Sequence, residues 1–242
     1  MNDVPNAQTL YTVIDATWPA AELLSCGPFT LRRGLNGGSR VSAATATHPA
    51  TPDDINAAAD AMRAHGQPAL FMIRETDTQL DMHLSDLGYV IKDPVALYAA
   101  PIAEIATTLP PPKTVFTAWP ALAAQSDIWA QGGIGHGRLA VMDRAAGPKT
   151  TFLGRIDDRP AGTSYAGIAQ GCVMVHALEI DPAFRRRGLA AHMTRATAFW
   201  GRENGASFLT LVTTQANAGA NALYTSLGMS VVGHYHYRTL PE

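Results

Sequence analysis

Cysteine is almost missing from this sequence. The 242 residues hold only Cys26 and Cys172, far apart and in apolar surroundings. That argues against a disulfide framework or a structural zinc site and makes a reducing interior the expected compartment. No stretch of 18 apolar residues occurs, so no helix is expected to span a bilayer. Charge of one sign does not accumulate either: 18 Lys and Arg stand against 20 Asp and Glu, a net charge of −2. Bulk electrostatics therefore gives no reason to expect nucleic acid or a membrane surface as partner. The N-terminal MNDVPNAQTLYTVIDATW has no basic region ahead of an apolar core, so no signal peptide is expected and the cytoplasm is the expected location. Two phosphate-binding signatures are missing as well, G-x-x-x-x-G-K-[ST] and G-x-G-x-x-G between a strand and a helix.

What is present is enough to fold. With 47% hydrophobic and 16% charged residues the chain can bury a sizeable core, and its length suits two small domains or one large one. The clearest break is TTLPPPK, 107–113, because three successive prolines continue neither a helix nor a central strand. On either side runs the same pattern. INAAADAMRAHG reads as a helix ending at Gly66, PALFMIRETD as a strand, TQLDMHLSDLGY as a helix ending at Leu87-Gly88, and PVALYAAPI as a strand. After the break, AHMTRATAFWGRENG ends at Gly205, SFLTLVTTQ is a strand, NAGANALYTSLGM ends at Leu227-Gly228, and SVVGHYHYR is a strand. The glycines mark helix ends, where a left-handed residue is common. Their spacing is matched, 22 residues in one half and 23 in the other, which favours a degenerate internal duplication. Before the second copy, WPALAAQSDIWAQ reads as a helix, and KTTFLGRIDD, GTSYAGIAQG and CVMVHALEID read as three strands with turns. The whole predicts a mixed sheet flanked by helices, with boundaries 1–106, a linker 107–113, and 114–242.

The chemistry concentrates at DPAFRRRGLA, 181–190. A strand runs into Pro182, and a helix begins near Gly188 with apolar Leu189, Met193, Ala196 and Trp200 at helical spacing. Free N–H groups and the dipole at a helix start attract anions. Gly188 lets a ligand approach the backbone without meeting a Cβ. Arg185, Arg186 and Arg187 add donors suited to phosphate oxygens. The alternative is a solvated basic turn that happens to precede a helix.

Arg185-Arg186-Arg187-Gly188-Leu189-Ala190 satisfies [Q/R]-x-x-G-x-[G/A], and here the chain resembles the GNAT superfamily of acyl-CoA-dependent N-acyltransferases. NAGANALYTSLGM strengthens the resemblance, since Asn217, Ala220, Leu223, Tyr224, Leu227 and Gly228 match that family's N-x-x-A-x-x-L-Y-x-x-L-G-[F/M]. The resemblance covers about residues 113–242. It implies an α+β fold with a mostly antiparallel sheet, in two tandem lobes, and acetyl-CoA as co-substrate with no metal. It implies that the 185–190 turn, with Leu189 and Ala190, holds the cofactor pyrophosphate, and that a backbone N–H near Ile180 meets the thioester carbonyl. Asn217, Asn221 and Tyr224 share one helical face, and the resemblance implies that the two asparagines contact the cofactor. A buried structural tyrosine is the plain reading of Tyr224; the resemblance makes its phenol a proton donor to the leaving thiolate, from an unperturbed pKa of about 10. The first half keeps the Leu-Gly helix end but has SAATATHPATPDD where the cradle should be, so it resembles a degenerate lobe unable to hold coenzyme A in the usual way.

Glu179 points to the opposite strand face from Leu178 and Ile180. It could deprotonate an ammonium substrate, or simply pair with one of the arginines. QGGIGHG, 131–137, reads as a mobile loop; in the family this region borders the acceptor pocket, which makes Trp129 and His136 substrate-side candidates. GLNGGS, 34–39, reads as a hairpin turn around Asn36-Gly37. His234 and His236 share a strand face, but no third metal ligand is evident, and YHYR reads better as an alternating strand. The expected activity is acetyl transfer to a primary amine, of a small molecule or peptide. The rival is a non-catalytic acyl-CoA-binding or regulatory module. Neither the acceptor nor the oligomeric state is legible.

Overall fold

A computed structural model describes residues 4–241. The first half runs α1 (Ala7–Thr17), β1 (Glu22–Cys26), β2 (Phe29–Arg33), β3 (Thr45–Ala46), α2 (Pro52–Ala64), β4 (Leu70–Arg74), α3 (Thr78–Asp86), β5 (Val90–Pro101) and α4 (Ile102–Ile105). The second runs β6 (Val115–Ala118), α5 (Ala123–Gln131), α6 (His136–Arg144), β7 (Lys149–Ile156), β8 (Arg159–Ala169) and β9 (Cys172–Ile180). It closes with α7 (Leu189–Glu203), β10 (Phe208–Thr214), α8 (Ala218–Ser226) and β11 (Ser230–Thr239). The class is α+β, with a mixed and mostly antiparallel sheet flanked by helices, as the sequence implied. The run β1-β2-β3-α2-β4-α3-β5 recurs as β7-β8-β9-α7-β10-α8-β11. Both Leu-Gly helix ends are built alike: Gly88 and Gly228 sit at φ 85° and 86°, and the next N–H reaches back to Leu84 and Tyr224 respectively. A Cβ at either glycine would meet nothing within 4 Å, so backbone conformation alone demands glycine there.

Contacts divide the chain into two compact units, each drawing on both ends of the sequence. The first comprises Met1–Pro19, Leu97–Thr213 and Asn217–Val232. Its strands lie in the order β5-β10-β9-β8-β7-β6, with β10 parallel to β9 and β6 to β9 antiparallel in sequence. Phe152 and Ser164 pair across β7 and β8, and the Phe152 ring meets Trp200 of α7 edge-on at 6.1 Å. Thr163 and Tyr165 point the other way, to Gln125 of α5 and to Trp18 beyond α1. So α7 covers one face, α1 and α5 the other. The buried stripe of α7 is Leu189, Met193, Thr194, Thr197, Ala198 and Gly201, turned slightly from the expected one; Ala196 and Trp200 are only half-buried. Thr194 and Thr197 can be buried because their hydroxyls donate to the Ala190 and Met193 carbonyls.

The second unit is Ala20–Ala96, Thr214–Ala216 and Gly233–Glu242. The hairpin β1-β2 turns at Gly27-Pro28, where Cys26 pairs with Phe29, and α2 and α3 close a core around Phe29, Ile55, Met62, Phe71 and Leu84. The GLNGGS turn exists, with Gly37 N–H donating to Gly34 O, but its left-handed residues are Leu35 and Asn36 and it does not close a hairpin. Three helices escaped the sequence reading: α1, the short α4, and α6, which begins at His136 inside the stretch expected to be loop. Among the described residues no helix is long and apolar enough to cross a membrane.

The YHYR segment does alternate: Tyr235 and Tyr237 are buried, while His236 and Arg238 reach Asp81 of α3 at 2.8 and 2.7 Å. Burial alone would raise the Asp81 carboxyl; the hydrogen bonds and charges of Arg238 and His236 outweigh it and hold the group below its ordinary range. A depressed carboxylate stabilises the fold above its unfolded pKa of about 3.9, and the contribution is lost as pH falls through the folded value. Asp81→Asn should therefore destabilise the protein by about 1.5–3 kcal/mol near neutrality, the worth of hydrogen bonds to charged groups. Thermal melts over pH should show that deficit shrinking below about pH 4. A deficit that does not change with pH would mean Asp81 acts by shape alone.

Candidate active site

The site grows from a fault in β9. Tyr165 pairs with His176 and Thr163 with Glu179, so Ser164 of β8 alone opposes Ala177 and Leu178 of β9, and Ala177 takes up the excess at φ 50°. This is a β-bulge, which bends its strand and breaks local pairing. Trp129 Nε1 donates to the Ala177 carbonyl at 2.7 Å and props it from α5. Parallel pairing of β9 with β10 runs from Cys172↔Phe208 to Val175↔Leu211 and goes no further, although both strands continue. A gap opens between them beyond the bulge. Asp181 N–H donates to Ala161 O on the β8 side. Strand alternation then turns the Ile180 N–H away from β8, toward the gap.

Past Ile180 the chain makes a short 3-10 turn over Pro182–Phe184 and enters the arginine stretch. Arg186 lies at φ 63° and Gly188 at φ 81°, two left-handed residues around one ordinary one. Such an alternation turns successive N–H groups inward to make an anion-binding concavity. Gly188 then caps α7 with no side-chain hydrogen bond, and α7 has no acidic residue in its first turn. Its leading N–H groups thus receive no cap from position 188 and meet no acid within the helix's own first turn. The turn is held by ion pairs at its flanks. Arg187 grips Asp157 of the β7–β8 turn with two hydrogen bonds, 2.9 and 3.2 Å, and Arg185 donates to Ile180 O and to Glu179. Close packing fixes the helix start, since a Cβ at Gly154 of β7 would come 2.7 Å from Met193 Sδ.

Glu179 thus realises the simple alternative offered by the sequence, pairing with Arg185 at 3.0 Å. It remains one-fifth exposed, and its chain lies over the end of α5, where a Cβ on Gly132 would sit 2.7 Å from its Cγ and 2.9 Å from Oε2. On α8, Asn217 caps the helix by accepting from Ala220 N–H, and Asn221 Nδ2 donates to Asn217 O. Tyr224 is buried, with its ring 5.7 Å from that of Tyr98 on β5. Burial, with Tyr98 beside it, pushes the Tyr224 phenol up to about 12.

With this geometry in place, comparison with known proteins is informative. Residues 118–229 match the model of the Acetyltransferase (GNAT) family. Residues 118–229 form a GNAT-family domain. A GCN5-related N-acetyltransferase from Kribbella flavida superposes with a TM-score of 0.75 at 21% identity, over 98% of this chain and 96% of that one. A conserved protein of unknown function from Staphylococcus epidermidis gives 0.69 at 10% identity, over 93% and 95%. A tandem GNAT protein from the clavulanic acid biosynthesis pathway gives 0.62 at 11%, over 88% and 78%. At these identities the likeness establishes the GNAT fold. No curated protein matches the sequence.

The GNAT domain brings Glu179, Ile180 and the 185–190 turn to one end of β9 and sets Tyr224 on α8. It sets the two substrate-side candidates in different surroundings. Trp129 is fully buried, with its one donor spent on Ala177, so it supports the bulge. His136 is exposed at the first position of α6. Three residues at the site carried no sequence signal: Gly132, whose missing Cβ seats Glu179; His192, one turn beyond Gly188; and Tyr98, whose hydroxyl donates to Asn221 Oδ1 at 2.9 Å. Among the described residues no group of three or more His, Cys, Asp and Glu is placed to hold a metal.

Proposed function

We propose that this GNAT domain is an acetyl-CoA-dependent N-acetyltransferase that moves the acetyl group to a primary amine by direct attack on the thioester. The observation that carries the reading is the uncapped start of α7 behind two left-handed turn residues, set beside the gap between β9 and β10. The residues fit a diphosphate: a cavity of inward N–H groups, no Cβ at Gly188, no acid in the first turn, and three arginines. Leu189 and Ala190 contribute their backbone N–H groups there. Asn217 and Asn221 act through α8, which they hold in place for Tyr224.

Among the described residues of the first half, the matching helix start offers no cradle of this kind. Its corresponding helix, α2, starts with a closed capping box in which Thr51 accepts from Asp54 N–H and Asp54 accepts from Thr51 N–H, with Asp53 alongside. Two carboxylates stand where the anion would go. Calorimetric titration of the whole chain with coenzyme A should accordingly find one site, lost on changing 185–190. Two equal sites would overturn this assignment.

Bound acetyl-CoA supplies an activated acyl carbon. Glu179 takes the proton of the attacking ammonium, directly or through water, once Arg185 turns from it to the phosphates. The Ile180 N–H faces the oxyanion that develops as the C–N bond forms. Tyr224 donates toward sulfur as the C–S bond breaks. Its phenol near 12 lies about 3.5 units above an ordinary thiol at about 8.5, so it helps chiefly by hydrogen bonding the departing sulfur. Tyr224→Phe should then lower kcat by about 10²-fold, the low end for acid catalysis, with coenzyme A affinity and melting temperature nearly unchanged. A wild-type kcat in the variant would remove Tyr224 from the chemistry.

A further inference from the structure

We propose that His192 is a further contact for the cofactor diphosphate and that it takes up a proton when the diphosphate binds. The inference rests on the reading of 185–190 as the diphosphate cradle. His192 lies one helical turn past Gly188, with its N–H donating to Gly188 O at 3.2 Å. Its ring reaches back over the turn: the nearest atom to a Cβ built on Gly188 is His192 Nε2, at 4.0 Å. A helical side chain leans toward the N-terminus of its helix, which is the direction of the cradle. An oxyanion on the Gly188, Leu189 and Ala190 N–H groups therefore has Nε2 within reach as a fourth donor, from a side chain and not from backbone.

The surrounding charges leave that role open. Partial burial, with Arg195 on the next turn beside it, lowers the imidazole from its ordinary 6.5 and favours the neutral ring in the free protein. Arg185 and Arg187 are paired to Glu179 and Asp157. Of the strands against α7, β6 has no charged residue, and β7 has Lys149, donating to carbonyls at the end of α6, and Arg155, paired with Asp158. β8 has Arg159, standing over the Phe184 ring, and β9 has His176, bonded to Thr17, and Glu179. α4 adds Glu104. Among all of these, only Arg195 acts on the imidazole through its charge. A diphosphate against Nε2 would reverse the balance, because an opposite charge within about 4–6 Å favours the protonated ring. One equivalent of binding then carries up to one proton from solvent to His192.

The test is calorimetric titration of the full chain with dephospho-CoA, in two buffers of different ionisation heat near pH 6.5. This ligand keeps the diphosphate and lacks the 3′-phosphomonoester, whose own titration near pH 6 would add a second proton. Wild type should take up a sizeable fraction of a proton per site. Its affinity should rise about tenfold from about pH 8 to about pH 5.5, since one unit of pKa is worth a factor of ten. His192→Asn, and His192→Gln as a second variant, should still bind, with no proton uptake and a flat pH profile; circular dichroism verifies folding. Uptake unchanged in both folded variants, or none in wild type, overturns the inference and leaves the cradle standing. Absence of binding by wild type to either dephospho-CoA or coenzyme A overturns the cradle itself.

Discussion

Replacing Gly188 by valine should weaken coenzyme A binding by about 100-fold or more, roughly 2.7 kcal/mol, in a protein that still folds. Two effects combine. At φ 81° a β-branched residue is forced into a region that costs it about 1–3 kcal/mol, and relief would swing the Arg186–Leu189 N–H groups out of their inward arrangement. The new side chain also projects into the cradle, because nothing of the protein but His192 stands within 4 Å of that Cβ. The glycine is therefore not needed for packing. A folded Gly188→Val with wild-type affinity would place the diphosphate elsewhere. Gly188→Ala separates the two effects, since alanine keeps most of the strain and little of the bulk.

Glu179→Gln should lower kcat/KM for the amine by about 10²–10³-fold while leaving coenzyme A affinity within a few-fold, as loss of a general base does. The ion pair that the change removes contributes little by itself, because Arg185 is more than half exposed. Gly132→Ala provides a second, geometric approach to the same carboxylate. Its backbone is ordinary, with φ −81°, so alanine is accepted, but its Cβ would lie 2.7 Å from Glu179 Cγ and push that side chain off its seat. Activity should fall in Gly132→Ala and fall no further when it is combined with Glu179→Gln, the non-additivity expected of residues acting through one group. Losses that simply multiply would show that Gly132 acts by another route, and full activity in Glu179→Gln would leave solvent as the base.

Much of the site was legible because its signals are local. The Arg-rich turn ahead of an amphipathic helix, and the Asn-to-Gly stretch of α8, each lie within a dozen residues, and both helices form where those stretches place them. Glu179 was legible as a partner of the arginines by strand alternation. The rest depends on register, which no short stretch encodes. The bulge places an alanine, not a glycine, in the left-handed region, so Ala177 carried no mark of it. β11 pairs with β4, Tyr235 against Arg74 through Thr239 against Leu70, across more than half the chain. Nothing near α1 shows that Thr17 Oγ1 will meet His176 Nε2 at 2.8 Å on β9. Tyr98 is one aromatic among apolar strand residues until the sheet brings it beside α8. α6 was passed over because HGRLAVMDR follows a glycine-rich loop and has only Val141 and Met142 buried, too little for an amphipathic stripe.

Acetyl-CoA consumption over a panel of primary amines, followed by the appearance of free thiol in wild type and Gly188→Val, tests the account most directly. Thiol release that requires a particular amine, yields the N-acetyl product, and collapses in Gly188→Val at matched folded concentration is the predicted result. Tight coenzyme A binding at 185–190 without amine-dependent thiol release from any member of the panel would contradict it, and would make the domain an acyl-CoA-binding module without transferase chemistry.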